Sequence, residues 1–221
     1  MSADRWAIET CLKHFQLPTE AEEVVAGEPG RQYMAMLWQE EGYAMYDNPL
    51  YLLRQEWFHC YRWPLDAVAT HFFEALPSDA IVLDYGCGTA EVCRSLWIEK
   101  QHPVCLVEPS DTCRKYLRAK YPQANVLILD DLPMTIEADT FDALICTEVF
   151  EHVLHPMGLQ MELWNYLRPG GQALLSWSTA YPHAGHLEES VKQYPLWVQW
   201  LQTHATFHDV GQYVWVEKPE I

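Results

Sequence analysis

The sequence predicts an α/β fold, a three-layer sandwich in which an N-terminal helical cap precedes a seven-stranded, mostly parallel sheet. Three observations predict it. Before residue 80, apolar residues recur with the period of a helix. After residue 80, short β-branched runs alternate with helical patterns, an order typical of a parallel sheet covered on both faces. The first of these runs, at 81–85, leads directly into a turn of small residues.

The N-terminal part is predicted to be helical throughout. Leu65, Val68, Phe72 and Leu76 form one apolar stripe, and Pro64 suits the first turn of that helix. Weaker helical patterns lie at 6–15, 31–41 and 50–61, with breaks at 27–30 and 47–49. We expect residues 1–79 to form a helical cap or substrate lid, and residues 80–221 to form the main ligand-binding domain.

The C-terminal part alternates between strand and helix patterns. The predicted strands are 81–85, 103–108, 125–129, 141–147, 171–177, 205–210 and 212–217. The predicted helices are 90–100, 110–121, 156–167 and 188–202. The sheet is expected to be parallel except for its last strand.

Composition and charge exclude several classes of protein. The chain has 221 residues, with 14 basic against 31 acidic side chains and a net charge of −17. Such a field disfavours nucleic acids and anionic membranes, so neither is an expected partner. We expect no secretory leader and no membrane span, because residues 1–16 carry four charged side chains and no apolar run approaches about 18 residues. The seven cysteines form no C-x-x-C pair. We expect a reduced, cytoplasmic protein whose oligomeric state is open.

The most informative stretch is the strand and turn at 81–90. Gly86 and Gly88 allow a ligand to approach the backbone, and the following helix start offers free N–H groups. A Gly-x-Gly turn alone is a weak signal. Asp84 sharpens it, because a dinucleotide pyrophosphate would meet its carboxylate, whereas a ligand with amino groups and positive charge would be attracted.

Acidic residues also follow the next two strands. Glu108 comes 20 residues after Gly88, where a carboxylate can accept hydrogen bonds from two ribose hydroxyls. Asp130 and Asp131 end the third strand. Because the C-terminal ends of parallel strands meet at one edge, we expect these acids to line the ligand crevice of the sheet.

Residues 81–175 resemble class I S-adenosylmethionine-dependent methyltransferases, in particular the group that includes the ubiquinone-biosynthesis O-methyltransferases. The matching segments are V-L-D-Y-G-C-G-T-A at 82–90, L-V-E-P-S at 106–110, L-D-D-L-P at 129–133, F-D-A-L-I-C-T-E-V-F-E-H-V at 141–153 and L-R-P-G-G at 167–171. The resemblance implies a Rossmann-like methyltransferase fold with S-adenosylmethionine as cofactor and S-adenosylhomocysteine as product. One departure is Ala90, where the family usually has a third glycine.

The resemblance also implies where the cofactor binds. The first loop would hold its methionine part, Glu108 its ribose, and an acid after the third strand its adenine. The expected cofactor-binding residues are Asp84, Tyr85, Gly86, Gly88, Glu108, Pro109, Asp130, Asp131, Leu132, Thr147 and Glu148. Family members carry an arginine near a segment similar to 48–50 that binds the cofactor carboxylate, but here Tyr51 takes that position and the nearest arginine is Arg54.

The acceptor side is less defined by the sequence. The resemblance implies that the segment before the first strand walls the acceptor pocket, and aromatic side chains would suit that role, although we expect most of those present to be ordinary helix-packing residues. The aromatic residues in this segment are Tyr33, Trp38, Tyr43, Tyr46, Tyr51, Trp57, Tyr61 and Trp63. A general base is needed only if the acceptor loses a proton. The predicted catalytic residues are His152, as first candidate base, and Glu148. Other candidates are Glu151, His155, Tyr181, His183 and His186.

A metal site is the alternative use of the same stretch. Glu148, Glu151 and His152 are spaced i, i+3, i+4, which is one face of a helical turn, and His183 or His186 would complete a ligand set. The resemblance leaves the question open, because relatives with E-x-x-E-H occur with and without metal. A metal-free enzyme is the expectation.

These observations together predict an enzyme that methylates a small molecule, with oxygen as the favoured acceptor atom. Transfer to nitrogen or sulfur stays open. A catalytically silent binding module or partner subunit of the same fold is a further alternative, although the intact acids at 84, 108 and 130–131 argue against it.

Overall fold

The computed structural model describes residues 3–61, 67–94, 97–123, 125–132, 136–183, 185–211 and 213–220. The N-terminal helices are α1 (Ala3–Phe15), α2 (Ala21–Val25), α3 (Gly27–Glu41), α4 (Pro49–Tyr61) and α5 (Ala67–Ala75), with a 3₁₀ turn at Gly42–Asp47. The helical segment breaks one residue before the predicted 27–30, at Ala26, whose extended backbone separates α2 from α3. Pro29 lies in the first turn of α3, where its missing N–H is not needed for a helical hydrogen bond. Trp63, Pro64 and Leu65 lie outside the described residues.

Seven described strands form one sheet. They are β1 (Val82–Tyr85), β2 (Val104–Val107), β3 (Val126–Leu129), β4 (Phe141–Cys146), β5 (Leu167–Leu175), β6 (Thr206–Val210) and β7 (Val214–Glu217). Their order is β3-β2-β1-β4-β5-β7-β6. The pairs among β1 to β5 are parallel, and β7 runs antiparallel to both β5 and β6. The predicted sheet, parallel except for its last strand, is therefore confirmed.

The remaining helices connect the strands. They are α6 (Glu91–Arg94), α7 (Asp111–Lys120), α8 (Pro156–Tyr166), α9 (Glu188–Val191) and α10 (Tyr194–His204), with 3₁₀ turns at Ile98–Lys100 and Phe150–His152. The helix predicted at 90–100 begins one residue later, because Ala90 has a φ of +59° and cannot belong to it. The observed α6 ends at Arg94. The predicted helix at 188–202 divides before α10, whose first turn contains a proline.

The core lies on both faces of the sheet. On one face, Ile8 of α1, Leu53 of α4 and Phe72 of α5 pack in the same cluster as Val82 of β1. On the other face, Leu83 of β1 packs in a cluster with residues of α8 and α10. Adjacent strand residues point to opposite faces, so the helices of residues 1–79 share a core with the sheet. The proposed division at residue 80 stays a prediction.

The structure bears on the prediction that the chain has no membrane span. Among the described residues, no helix is both long enough and apolar enough to cross a membrane.

Candidate active site

The turn after β1 is held in a conformation that needs small residues. Gly86, Gly88 and Ala90 have φ values of +68°, +51° and +59°. A Cβ on Gly86 would collide with the Val149 side chain, so only glycine fits there. Ala90 takes the left-handed conformation at a cost of about 1–2 kcal/mol, and α6 begins one residue later at Glu91. The loop thus keeps its form without a third glycine.

Asp84 lies beneath this loop. Its side chain is 3% exposed, and the Cys93 thiol donates a hydrogen bond to Asp84 Oδ2 at 3.2 Å. Burial raises the pKa of Asp84 to about 7, and the negative charge of Glu108 adds to this, while the bond from Cys93 opposes it. A cationic group bound nearby would favour the charged carboxylate.

The Glu108 carboxylate connects the loop after β1 to the loop after β2. Gly88 N donates to Glu108 Oε2 at 3.0 Å, and Ser110 N donates to Oε1 at 2.8 Å. Burial raises the pKa of Glu108, and these two backbone bonds oppose the rise. Each carboxylate oxygen has a second lone pair, so two ribose hydroxyls can still donate to it.

The predicted residues after β2 and β3 are more exposed. Asp130 Oδ1 accepts from Asp131 N at 3.1 Å, and Asp131 Oδ1 accepts from Leu132 N at 2.8 Å. Both acids are exposed and Leu132 is buried. Pro109 is exposed as well, so the loops after β2 and β3 form the outer rim of the crevice.

The ends of the central strands supply three further predicted residues. Tyr85 is half-buried, and burial raises the pKa of its hydroxyl to about 12. Thr147 follows β4 and is half-buried, and Glu148 is exposed. Because β1, β2, β3 and β4 are parallel, all the predicted cofactor residues lie at one edge of the sheet.

Glu148 does not share a helical face with Glu151 and His152, so that prediction is wrong. Its φ of +55° breaks the turn, and the 3₁₀ segment covers only Phe150–His152. Glu148 N donates to Ser176 Oγ at 2.9 Å, and Ser176 Oγ donates to Glu148 Oε1 at 2.9 Å. Glu148 is therefore held by the end of β5.

Glu151 and His152 instead meet His186. Nε2 of His152 and Nε2 of His186 each lie 4.0 Å from Glu151 Oε1. The ligand atoms of the three residues lie within 4.8 Å of one another, so this acid–histidine cluster is the set that could hold a metal ion among the described residues. His183 packs against His186, with ring centroids 4.5 Å apart.

The acid–histidine cluster has unusual electrostatics. Glu151 is fully buried, and burial together with the negative charge of Glu148 raises its pKa to about 8. Burial lowers the pKa of His152 to about 4, and the bond to Gly185 O partly opposes this. His152 is therefore neutral at pH 7 and is a weak base, whereas the sequence made it the first candidate for a general base.

The cap contributes Tyr46, one of the aromatic residues named from the sequence, and Asp47, which the sequence did not single out. Asp47 Oδ1 accepts from Ser110 Oγ at 2.7 Å and from Thr112 N at 3.2 Å. The Tyr46 hydroxyl lies 3.3 Å from His152 Nδ1, and Tyr46 O accepts from Ser110 Oγ at 3.2 Å. Tyr46 and Asp47 thus join the Glu108 side of the edge to the acid–histidine cluster.

Arg54, the arginine nearest to the segment at 48–50, lies against the end of α2. Arg54 Nη1 donates to Val25 O at 2.6 Å, and its guanidinium lies over the Trp57 ring at 5.0 Å. These contacts direct Arg54 to the end of α2. Tyr51 packs edge-on against Tyr46, with ring centroids 5.0 Å apart.

The sequence that forms this fold and this site matches the model of a known protein family. The family of methyltransferase domains matches residues 52–216. The chain belongs to this family.

Curated relatives of this methyltransferase act on tRNA, by their names. The tRNA U34 carboxymethyltransferase of Cellvibrio japonicus is 33% identical over 131 residues, 56% of this chain and 39% of the relative. The enzyme of the same name from Saccharophagus degradans is 29% identical over 153 residues, 66% of this chain and 45% of the relative. The Mus musculus tRNA (carboxymethyluridine(34)-5-O)-methyltransferase ALKBH8 is 34% identical over 107 residues, 47% of this chain and 15% of the relative. The chain spans less than half the length of each.

Solved structures agree with the fold. The Burkholderia thailandensis 1,6-didemethyltoxoflavin-N1-methyltransferase, with bound 1,6-didemethyltoxoflavin and S-adenosylhomocysteine, has a TM-score of 0.57 and 17% identity, covering 88% of this chain and 93% of that one. A SAM-dependent methyltransferase from Aquifex aeolicus has a TM-score of 0.50 and 16% identity, covering 68% of this chain and 88% of that one.

These findings confirm the predicted family, fold, enzyme class and cofactor: the chain is a class I S-adenosylmethionine-dependent methyltransferase. They do not single out the ubiquinone-biosynthesis group. The predicted small-molecule acceptor and the expected absence of a nucleic-acid partner are wrong, because the curated relatives are named for tRNA. Net charge averages over the whole surface, whereas an acceptor is recognised locally, which is why composition misled here.

Proposed function

We propose that this methyltransferase transfers a methyl group from S-adenosylmethionine to tRNA, at the uridine of position 34. The observation that carries the proposal is that all three curated relatives are named for that nucleoside. The acceptor is the part of the proposal that the assay below tests.

The strand ends support the cofactor part of the proposal. Asp84 would balance the cationic aminoacyl end, and Glu108, fixed beside Gly88, would accept from the ribose hydroxyls. Asp130 or Asp131 at the outer rim would face the adenine. Tyr46 would close the edge from the cap side.

The charges at this edge favour methyl over carboxymethyl transfer. The relatives' names include both reactions. A donor whose transferred group carried a carboxylate would bring a further negative charge beside Asp84, Glu108, Glu148 and Glu151. The sulfonium of S-adenosylmethionine is positive and is attracted by the same acids. The mouse relative is named for methyl transfer to carboxymethyluridine, so we propose a carboxymethyl group already present on the uridine as the acceptor. The carboxylate of that acceptor meets the same repulsion, so this choice rests on the relative's name and not on the charges.

The chemistry of that acceptor fits a site without a strong base. A lone pair of the acceptor carboxylate attacks the methyl carbon, the carbon–sulfur bond breaks, and sulfur keeps the electron pair. The products are a methyl ester and S-adenosylhomocysteine, and no proton is released. The low pKa of His152 is no obstacle to this reaction. The protein's task is to align the two reactants and exclude water.

The test is a transfer assay on three tRNA substrates. The purified chain is incubated with S-adenosylmethionine and tRNA carrying carboxymethyluridine, uridine or cytidine at position 34, and the nucleosides are analysed by mass spectrometry. We expect one added methyl on carboxymethyluridine alone. Asp84→Asn should lose most of this activity, and Asp79→Asn, which changes an exposed acid, should keep it.

Two results would contradict the proposal. A chain that binds S-adenosylhomocysteine but methylates none of the tRNAs would exclude position 34 as the acceptor. A methyl group found equally on the cytidine-containing tRNA would place the acceptor elsewhere in the RNA.

A further inference from the structure

Glu151 is a fully buried acid that lies beside two histidines. Its side chain has no exposed surface, and neither carboxylate oxygen has a hydrogen-bond partner among the described residues. A buried carboxylate with both oxygens unpaired is unfavourable unless it is protonated or a cation neutralises it. A cation bound here would neutralise the ionised carboxylate and remove that cost.

Two histidines are oriented toward this acid. His152 Nδ1 lies 2.9 Å from Gly185 O, and His186 Nδ1 lies 2.6 Å from Ala180 O. A carbonyl only accepts, so each Nδ1 carries the proton and each Nε2 presents a lone pair toward Glu151. Backbone carbonyls orient metal-ligating histidines in the same way.

The position of Gly185 requires a residue without a side chain. Its φ is +81°, and a Cβ there would collide with the Tyr46 hydroxyl and lie 2.9 Å from His152 Nδ1. A side chain at this position would displace the carbonyl that fixes the His152 tautomer. The loop between β5 and α9 thus holds both histidines in place.

We infer that Glu151, His152 and His186 bind a divalent metal ion. Two imidazole nitrogens and one carboxylate form a donor set that suits Zn²⁺, Mn²⁺ or Fe²⁺ better than Mg²⁺, which prefers oxygen. Ligand atoms of a tetrahedral zinc site lie about 3.4 Å apart, so the ligand atoms here need to move closer by about 1 Å. Three protein ligands leave at least one coordination position open.

The open position has a use that rests on the proposed function. The proposed acceptor is a carboxylate, and it must enter an edge that already holds four acids. A bound dication would attract one carboxylate oxygen and leave the other free to attack the methyl carbon. Tyr46 connects His152 to Ser110, which binds Glu108, so the metal site lies beside the proposed ribose site.

Metal binding is tested without RNA. The chain is treated with a chelator, dialysed, and titrated separately with Zn²⁺, Mn²⁺ and Mg²⁺ by calorimetry, with the bound metal counted by elemental analysis. We expect one ion per chain, with Zn²⁺ bound at least tenfold more tightly than Mg²⁺. His186→Ala should weaken Zn²⁺ binding at least 100-fold.

Two controls separate the site from general effects. His208→Ala removes an exposed histidine that lies 3.0 Å from Glu217, and it should leave metal affinity unchanged. Glu151→Gln keeps the side-chain volume and removes the buried charge. The metal-free variant should melt at the same or a higher temperature than the wild type, and Zn²⁺ should no longer raise that temperature.

The outcomes for the site and for the proposed function are distinct. If no ion saturates the wild-type chain, or if Glu151→Gln and His186→Ala bind as tightly as the wild type, the metal site is wrong. If the ion binds but no tRNA is methylated, only the proposed function fails. If tRNA methylation is unchanged after chelation, the role of the ion in holding the acceptor is wrong.

Discussion

Asp84 is a carboxylate whose charge changes near neutral pH. Its folded-state pKa of about 7 lies above its ordinary value, so binding of a cationic aminoacyl group must release a proton below pH 7. We predict that affinity for S-adenosylhomocysteine falls about tenfold between pH 8 and pH 6. Calorimetry at both pH values measures this, and Asp84→Asn should bind weakly at both. An unchanged pH dependence in the variant would contradict the assignment.

The same carboxylate should destabilise the free protein at high pH. A pKa that is higher in the folded than in the unfolded chain contributes stability at low pH, and this is lost as pH rises toward 7. Asp84→Asn should therefore be at least as stable as the wild type at pH 8 while binding the cofactor more weakly. This combination distinguishes a binding residue from one that only supports the fold.

Glu108 tests the ribose site. Glu108→Ala should weaken S-adenosylhomocysteine binding by about 1.5–3 kcal/mol, the range for hydrogen bonds to a charged group. Exposed Glu137→Ala is the matched control and should bind normally. Wild-type affinity in Glu108→Ala would remove this crevice as the cofactor site.

At the residue scale, sequence reasoning was most effective at strand ends. Asp84 and Glu108 follow apolar runs, and parallel pairing alone brings them to one edge. It was least effective for contacts between distant segments. Tyr46 meets His152 across 106 positions, and nothing local to either residue indicates that contact. Glu148 shows the limit of spacing arguments, because one residue with a positive φ removes it from the helical face.

At the element scale, Lys120 joins the cap to the sheet domain. Its fully buried ammonium lies 2.7 Å from Glu56 Oε1 of α4, pairs with Glu91 of α6, and donates to Thr89 O at 2.9 Å. Lys120→Ala would leave the buried Glu56 without its cation, whereas Glu91 would keep its pair with Arg94. The substitution should lower the free energy of unfolding by about 3–5 kcal/mol.

Urea unfolding measures this loss, and Lys115→Ala is the control. Lys115 pairs with Asp111 at 2.6 Å on the surface, where both side chains are more than half exposed. That pair should be worth less than about 1 kcal/mol. Equal losses in the two variants would show that the buried contact does not link the cap to the domain.

The segment at Gly42–Asp47 is the part of the cap that should respond to ligand. It is held by Asp47 against Ser110, the N-cap of α7, and Thr112 in the first turn of α7, a few residues after Glu108. We predict that S-adenosylhomocysteine slows amide hydrogen exchange at 42–48 in the wild type, and that Asp47→Ala reduces this protection. Equal exchange with and without ligand would make the cap a fixed structural layer.

The elements that sequence patterns predicted best are those with a strong local period. Strands β1 and β2 were located within one residue at each end, because each is a short apolar run flanked by polar or glycine residues. β5 begins at Leu167, four residues before the predicted start. The prediction missed these residues because the Pro169-Gly170-Gly171 sequence is typical of a turn and not of a strand. A register shift between Phe141 and Ala143 of β4 allows Leu167 to pair there, and such a shift has no local sequence signal.

At the scale of the whole molecule, the negative net charge of the chain is unusual for a protein that is proposed to bind tRNA. A net charge of −17 repels the RNA backbone as a whole, yet the curated relatives are named for tRNA. The basic side chains of α7 do not form a free cationic surface. Arg114 and Lys115 both pair with Asp111, Arg118 donates to Ile128 O at 3.4 Å, and Lys120 is buried. Recognition of an RNA by this chain would therefore depend on the acceptor nucleoside more than on phosphate contacts.

The salt dependence of tRNA methylation tests that conclusion. A protein that neutralises 6–10 phosphates loses about 10³–10⁵ in affinity between 50 and 200 mM salt, because it releases the counterions of each phosphate. With 14 basic residues against 31 acidic ones, this chain should release few counterions, and added salt also screens the repulsion between the two partners. We predict that kcat/KM for tRNA carrying carboxymethyluridine changes less than about tenfold over that range. Initial rates at four salt concentrations give the dependence of kcat/KM on salt. Adding the cytidine-containing tRNA as a competitor at each concentration shows how strongly the chain binds tRNA that lacks the acceptor. A loss of 100-fold or more would mean that the chain presents a continuous basic surface to the RNA, and recognition by the nucleoside would then be the wrong description.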